Sequence, residues 1–553
     1  MSSTFPEFVR SSLCRLPAVL KHVLFFVITG RNTNCAGYQM STLPKPKNTN
    51  IATGFRYSLL LVLAFLSASA VSKTQPYLTD GQCDGYPRAA IDTRSGLCLG
   101  LIHQGAPLVK PRRVLEWQPG ILLITDMGGW SDHRGTLWRY DVKADVFEPL
   151  LSKLNLPHGL TRVDADNILL GEKDALLEVT LTADGHVQSS RTLFRRDIVD
   201  GHRHPLMNFV LTGNKTLIVN YGAPTDQCQN QVEQQQCQQR IEDAQLRWYA
   251  FNTTAGDWDF DHYQTTYGLR NSMALAVNQY DQVYQADNGM DFKWVFYPLE
   301  TLNQVLPDQD YGWPYCYPVQ QVNPIWAAIS LNCAKLSKSK TLLPPHGAPL
   351  DMMFYQGQKL AAINNTLLIS LHGYQVAGHQ LLAVKLNDRQ QPLTLADSKY
   401  SRDPREQEFG RQQESYPQGY GPDAVEVILR WDELVGVRPK GSPVGLAGSH
   451  DGSVWIIEDN NRSLLRLAPG DAFVSQNLWQ QDKKVMPPEA VSKVLAVECQ
   501  ACHEQIATGV SERWLNSGLM YQKVVKEKRM PPPGFSNDDN RKLLESWLNT
   551  SGQ

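Results

Sequence analysis

The sequence lacks a surplus of either charge. Its 53 Lys and Arg residues meet 55 Asp and Glu, a formal net charge of −2. That excludes the strongly basic surface by which nucleic-acid-binding proteins hold phosphate. It also lacks an apolar run of the roughly 18–20 residues that a membrane helix needs. Glycine (39) and proline (33) are close to average shares, so no fibrous repeat is present. The 42% hydrophobic and 20% charged composition excludes a wholly disordered chain and leaves room for two to four domains.

Residues 57–66 (YSLLLVLAFL) form an apolar stretch preceded by Arg56 and followed by Ser67-Ala68-Ser69-Ala70. A basic flank, a short apolar segment and small residues at a cleavage point spell a secretory signal peptide. The pattern assigns residues 1–70 to a leader, with Met40 as the natural start and residues 1–39 as an upstream mis-start. The rival reading is an anchoring segment near Leu16–Ile28. The exported protein then begins near Val71 and is periplasmic or secreted, without membrane association once the signal is removed. Cysteine usage agrees. Beyond Cys14 and Cys35, three close pairs suit an oxidising compartment: Cys83/Cys98, Cys228/Cys237 and Cys316/Cys333. Buried free thiols are the alternative.

A phrase recurs along most of the remaining chain: a turn, an apolar pair, another turn, then an apolar strand ending in Asp or another polar residue. It appears at 111–126 (PRRVLEWQPGILLITD), 157–172, 204–220, 270–287, 348–370 (split by an insert) and 443–459 (PVGLAGSHDGSVWIIED). Alternating apolar residues between turns predict antiparallel strands, as at Gly135–Asp141 and Ser463–Leu467. Pro111 and Pro157 are 46 positions apart. A unit of that length, repeated six times, predicts a six-bladed β-propeller over residues 71–483; a β-sandwich is the rival. The inserts at 227–240 and 397–422 read as solvated decoration.

The tail carries the sharpest motif. Cys499-Gln500-Ala501-Cys502-His503 is CxxCH, the attachment signature of c-type haem. Two thiols at this spacing add to the two vinyl groups, and the next histidine reaches the iron. A zinc site would need two more Cys or His ligands nearby, and none follow. Met530, in the proline-rich stretch 529–534 (RMPPPG), is the expected second axial ligand, with Met520 the weaker candidate. An amphipathic final helix over Asp538–Leu548 completes a small all-α cytochrome c domain at residues 484–553.

Several phrases of the propeller resemble the soluble quinoprotein aldose and sorbosone dehydrogenases. They are Tyr311-Gly312-Trp313-Pro314-Tyr315-Cys316 with Leu302-Asn303-Gln304-Val305 before it, Arg270-Asn271, Gly201-His202, Pro157-His158-Gly159 and Leu371-His372-Gly373. The resemblance covers roughly residues 100–470. It implies a six-bladed propeller holding pyrroloquinoline quinone (PQQ) on its axis. It further implies that His202 is the general base, with His204 two positions on as competitor. Arg270 and Asn271 grip PQQ, His372 lines the cofactor pocket, and the main-chain oxygens of Gly289 and Met290 bind calcium. Two positions depart from the family pattern. Ser442 stands where an arginine often precedes the sixth repeat, and Pro205 replaces a polar or basic residue.

The resulting expectation is an exported sugar dehydrogenase. A small sugar or polyol binds over the quinone, the histidine takes the hydroxyl proton, and electrons pass to haem c and on to a periplasmic cytochrome or oxidase. The alternatives are a propeller that has lost PQQ, serving as a binding module beside an electron-carrying cytochrome, and a lactonase-type hydrolase, which leaves the CxxCH motif unexplained.

Overall fold

The computed structural model describes residues 77–228, 243–291, 298–318, 321–326, 332–373, 378–393, 425–431, 441–473, 484–500, 506–511, 515, 519–526, 531 and 534–551. The leader lies outside the described residues, as does most of the two inserts.

Six antiparallel sheets succeed one another along the chain, and each begins on one of the six repeated phrases. Blade one is Pro111–Gln118, Ile121–Asp126, Gly135–Asp141 and Val146–Leu154. Blade two runs from Leu160–Arg162 to Val187–Arg195, and blade three from Phe209–Leu211 to Asp257–Tyr267. Blade four runs from Ala274–Val277 to Thr341–Leu343, and blade five from Pro349–Tyr355 to Val425–Arg430. Blade six takes three strands from the end of the propeller, Pro443–Gly448, Val454–Glu458 and Ser463–Pro469. Its fourth, Leu97–Gln104, comes from the start and pairs with Ser463–Pro469. The ring is therefore closed by main-chain hydrogen bonds between its two ends, which removes a free sheet edge there. Thr79–Cys83 and Tyr86–Ala89 extend that sheet, and the Cys83–Cys98 disulfide staples the extension to the closing strand.

The second strand of each repeat departs from strict alternation. Leu122, Leu123 and Ile124 are all fully buried, as are Ile168–Leu170, Leu217–Val219, Leu367–Ile369 and Ile456–Ile457. Each blade packs a neighbour on both faces, so its inner strand has no solvent side to alternate with. Apolar clusters fill the gaps between successive blades: Trp117, Leu123 and Ile168 between one and two, Ile218, Leu275 and Val305 between three and four, Leu368, Ile428 and Ile456 between five and six. Outer strands such as Asp257–Tyr267 meet solvent instead, with an exposed run at 261–264.

The tail has an apolar core of its own. Val491 and Leu495 of the helix Glu489–Glu498 meet Leu544, Trp547 and Leu548 of the helix Asp538–Ser551, with Cys499, Ile506 and Met520 between them. The expected final helix is present and three residues longer. The tail is not purely helical, because Lys484–Val485 pairs antiparallel with Val510–Ser511. Among the described residues no helix is long and apolar enough to cross a membrane.

Candidate active site

In four of the six repeats an acid at the end of the phrase is a clamp. Asp126 accepts hydrogen bonds from the main-chain N–H groups of Val109 (2.7 Å) and Lys110 (2.8 Å). Asp287 accepts from Asn271 (3.0 Å) and Arg270 (3.3 Å), and Glu458 from Ser442 (2.7 Å) and Asn461 (2.9 Å). Glu172 does the same for Asn155 at 2.5 Å. In these four blades the carboxylate satisfies main-chain donors of nearby loops, chiefly the loop entering the first strand, groups that would otherwise be buried without partners. These loops surround one end of the propeller axis, and their side chains form the candidate site.

One half of that ring is centred on Asp459, whose side chain is 1% exposed. Its carboxylate pairs with Arg112 at 2.7 Å, Lys110 at 2.9 Å and His372 at 3.0 Å. Burial opposes ionisation of Asp459, but His372, Arg112 and Lys110 outweigh it and hold the carboxyl far below its ordinary range. Arg112 Nε donates to His158 Nδ1 at 3.1 Å. His158 is wholly buried, and burial with Arg112 and Arg113 keeps it neutral, well below the ordinary histidine value. Since Nδ1 accepts, the proton sits on Nε2, and that atom has no hydrogen-bond partner among the described residues. Burial lowers neighbouring Arg113 to about 10, and its guanidinium pairs with Asp351.

The other half is centred on Arg270. Its guanidinium pairs with Asp226 (2.8 Å) and Asp291 (3.1 Å) and donates to the Asn288 carbonyl (2.8 Å). Its Nε is buried without a partner among the described residues. Trp313 Nε1 donates to the main-chain oxygen of Asp226 at 2.9 Å, so the 311–316 phrase buttresses the carboxylate that holds Arg270. The Cys316–Cys333 disulfide closes that insertion, and Cys228 beside Asp226 is also disulfide-bonded. Two of the three expected pairs are thus formed; Cys237 lies outside the described residues.

Of the histidines, His204 stands against this half. Its Nδ1 donates to the Ala223 carbonyl at 2.6 Å, and Ala223 N–H donates to the Arg270 carbonyl at 2.7 Å. A side chain on Gly222 would place its Cβ 2.6 Å from His204 Cβ and 3.0 Å from Asn271 Oδ1, so glycine lets these two residues close together. Desolvation and Arg270 hold His204 well below the ordinary histidine value. His202 is turned away: its Nδ1 accepts from the main chain of His204 (3.2 Å) and its Nε2 faces Asp243 at 3.9 Å. Asn271 is buried and accepts from Asn220 at 3.4 Å. Gly289 donates to Glu300 at 2.5 Å, and Met290 is buried with its sulfur against Asn323. Among the described residues no donor reaches the carbonyl oxygens of Gly289 or Met290. His372 is in the other half, as described. In the tail, Cys499 is buried in the apolar core, whereas Cys502, His503 and Met530 lie outside the described residues.

Both departures from the family pattern are met from elsewhere. Ser442 donates its N–H to Glu458 and lies 3.2 Å from His379, while blade one brings Lys110 and Arg112 to Asp459 of blade six. The Pro205 carbonyl accepts from Arg196 at 2.7 Å. Arg112 and Lys110 were missed in the sequence, although Arg112 follows the proline that opens the first repeat as His158 follows the proline of the second.

Residues 162–402 match the family model described as Glucose / Sorbosone dehydrogenase. That stretch of the propeller is similar to this dehydrogenase family. Among solved structures, the holo form of the pyranose dehydrogenase PQQ domain from Coprinopsis cinerea matches with a TM-score of 0.51 and 18% identity, over 70% of this chain and 99% of that one. The calcium structure of a Trichoderma reesei carbohydrate-active enzyme of family AA12 gives a TM-score of 0.51 and 18% identity, over 71% and 100%. At that identity both establish the fold. No curated protein matches the sequence.

Proposed function

We propose that this chain is an exported PQQ-dependent sugar dehydrogenase that delivers its electrons to a covalently bound haem c. The observation that carries the reading is a pair of buried donors on opposite halves of the ring, His158 Nε2 and Arg270 Nε, with no acceptor among the described residues. Buried donors are almost always satisfied, and a carboxylate-rich ligand between the two halves would satisfy both. The donor set fits PQQ: Arg270 and Asn271 on one side, Lys110, Arg112, His158 and His372 on the other. The main-chain oxygens of Gly289 and Met290 suit calcium, a hard cation that prefers oxygen. PQQ, when bound, supplies the two-electron acceptor.

The chain's own residues prepare the substrate. His204 is neutral at pH 7, and its Nδ1 proton is fixed on Ala223, so Nε2 offers a lone pair to a sugar hydroxyl. His204 is therefore favoured over His202 as base. Arg270 keeps positive charge beside that histidine, which favours an alkoxide-like oxygen as the proton leaves. In the tail, Cys499 and Cys502 would carry the porphyrin, with His503 and Met530 as axial ligands; burial of Cys499 among Val491, Leu495 and Trp547 supports an apolar seat. Met520 packs in the same core, the role expected of it if Met530 is the ligand. A periplasmic cytochrome or oxidase then takes the electrons.

The test is reconstitution. Purified protein with PQQ and calcium should bleach its oxidised haem spectrum when an aldose or polyol is added. The reading fails if the haem stays oxidised across a sugar and alcohol panel while bound PQQ is demonstrable by its absorbance.

A further inference from the structure

The loop that follows the second strand of blade one has no part in the chemistry above. It holds Trp130, which is 61% exposed and is the only exposed tryptophan among the described residues. A single exposed apolar side chain is ordinary on a protein surface; what sets Trp130 apart is how its loop is held and where that loop is rooted. The loop is built to hold it. Gly128 has φ +63°, and a Cβ there would lie 2.1 Å from the Arg134 carbonyl oxygen, so the two limbs of the loop touch and only glycine fits. Gly128 N–H donates to Asp126 at 2.7 Å. Two residues beyond Trp130, Asp132 pairs with Lys173 of blade two at 2.7 Å. Lys173 is itself pinned, its N–H donating to Asn155 and its carbonyl accepting from Arg196.

The root of this loop is part of the site. Asp126, which clamps Gly128, also clamps the main chain of Lys110, and the Lys110 ammonium reaches Asp459 on the axis. Trp130 therefore rises from the same end of the propeller as the ring of cations and histidines, between blades one and two. We propose that Trp130 is a substrate-positioning residue: its indole is the platform for the apolar C–H face of a pyranose ring, and it sets the preference for hexoses over smaller polyols. A sugar ring presents axial C–H groups on one face and hydroxyls at its rim. A flat, electron-rich surface recognises the first without demanding a fixed pattern of the second. This rests on the sugar-dehydrogenase reading and names the group that selects within that class.

Trp130→Ala and Trp130→Phe variants of the holoprotein test it. A positioning platform predicts that Trp130→Ala raises KM for hexoses about tenfold, the scale of one aromatic contact, with kcat within about twofold. Glycerol, which has no ring to stack, should keep its KM. Trp130→Phe should recover part of the loss. The inhibition constant of 1,5-anhydroglucitol, a hexose without the anomeric hydroxyl, should rise in parallel in Trp130→Ala, while the PQQ dissociation constant stays put. Unchanged hexose KM in Trp130→Ala, or equal losses for hexoses and glycerol, overturns the assignment of Trp130 alone. Wild-type holoprotein that oxidises no sugar overturns the underlying reading together with it.

Discussion

The two halves of the axial ring hold similar residues in opposite states. Around Asp459 two cations and a histidine converge within 3.0 Å on one carboxylate that is 1% exposed, a tight cluster with a surplus of positive charge. Around Arg270 the balance is looser. Asp291 is 66% exposed, His346 stands 3.8 Å from it, and among the described residues His204 Nε2 has no hydrogen bond. A closed network of charges holds geometry and resists change; an open one can accept a proton or a ligand. The comparison assigns the Asp459 half to architecture and anion holding, and the Arg270 half to chemistry.

That division is broken most severely at Asp459. Removing one member of a buried charge network strands the others, at a cost of about 3–5 kcal/mol. Asp459→Asn should lower the melting temperature by several degrees and leave Lys110, Arg112 and His372 without their common partner. The pH dependence follows from the same depression. The folded-state pKa of Asp459 lies below its ordinary 3.8, so its stabilisation is complete above that value and is lost as pH falls through the folded value. Asp459→Asn should flatten the acid limb of a stability–pH curve; an unchanged limb would return the network to incidental contact.

On the Arg270 side the expected effect is on rate, not on stability. His204→Gln keeps a polar side chain of similar length and removes the basic nitrogen, so kcat/KM should fall by about 10²–10⁴ with little movement in melting temperature. A comparable loss of stability would mean that this half, too, is architecture. The rate–pH profile sharpens the point. Because desolvation and Arg270 depress His204, the residue stays neutral through neutrality, and kcat/KM should be level there. It should decline only below the ordinary histidine value of 6.5, and His204→Gln should abolish that decline.

How far the sequence could reach differs along the same line. The blades were legible because burial imprints apolar strands and turns at regular spacing, and the closing strand was not, because Leu97–Gln104 pairs with residues more than 350 positions away. Arg270 and Asn271 stand together in the sequence and were found together. The Asp459 network draws Lys110 and Arg112 from blade one, His372 from blade five and Asp459 from blade six, and no local pattern joins them. The terminal acids of the repeats were visible, but their work as main-chain clamps depends on loops that fold back over them. In the tail the proposed haem attachment rests on the five consecutive residues 499–503, and the fold contributes the burial of Cys499.

The smallest expected effect separates two neighbours. His202 and His204 lie two positions apart, and in a regular strand they would point to the same side. The chain here is not a strand: the first strand of blade three starts only at Phe209, and Gly201 takes φ +77°. The two rings therefore diverge. His202 uses Nδ1 to receive the His204 N–H and turns Nε2 toward Asp243, whereas His204 leans on Gly222 beside Asn271. His202→Gln keeps an acceptor at that point and should cost no more than about 1 kcal/mol, the net worth of one hydrogen bond. That corresponds to a change in kcat/KM of about fivefold or less, measured beside His204→Gln under the same conditions. If the order reverses, with His202→Gln the slower enzyme, the base is His202, and the loop must rearrange when substrate binds.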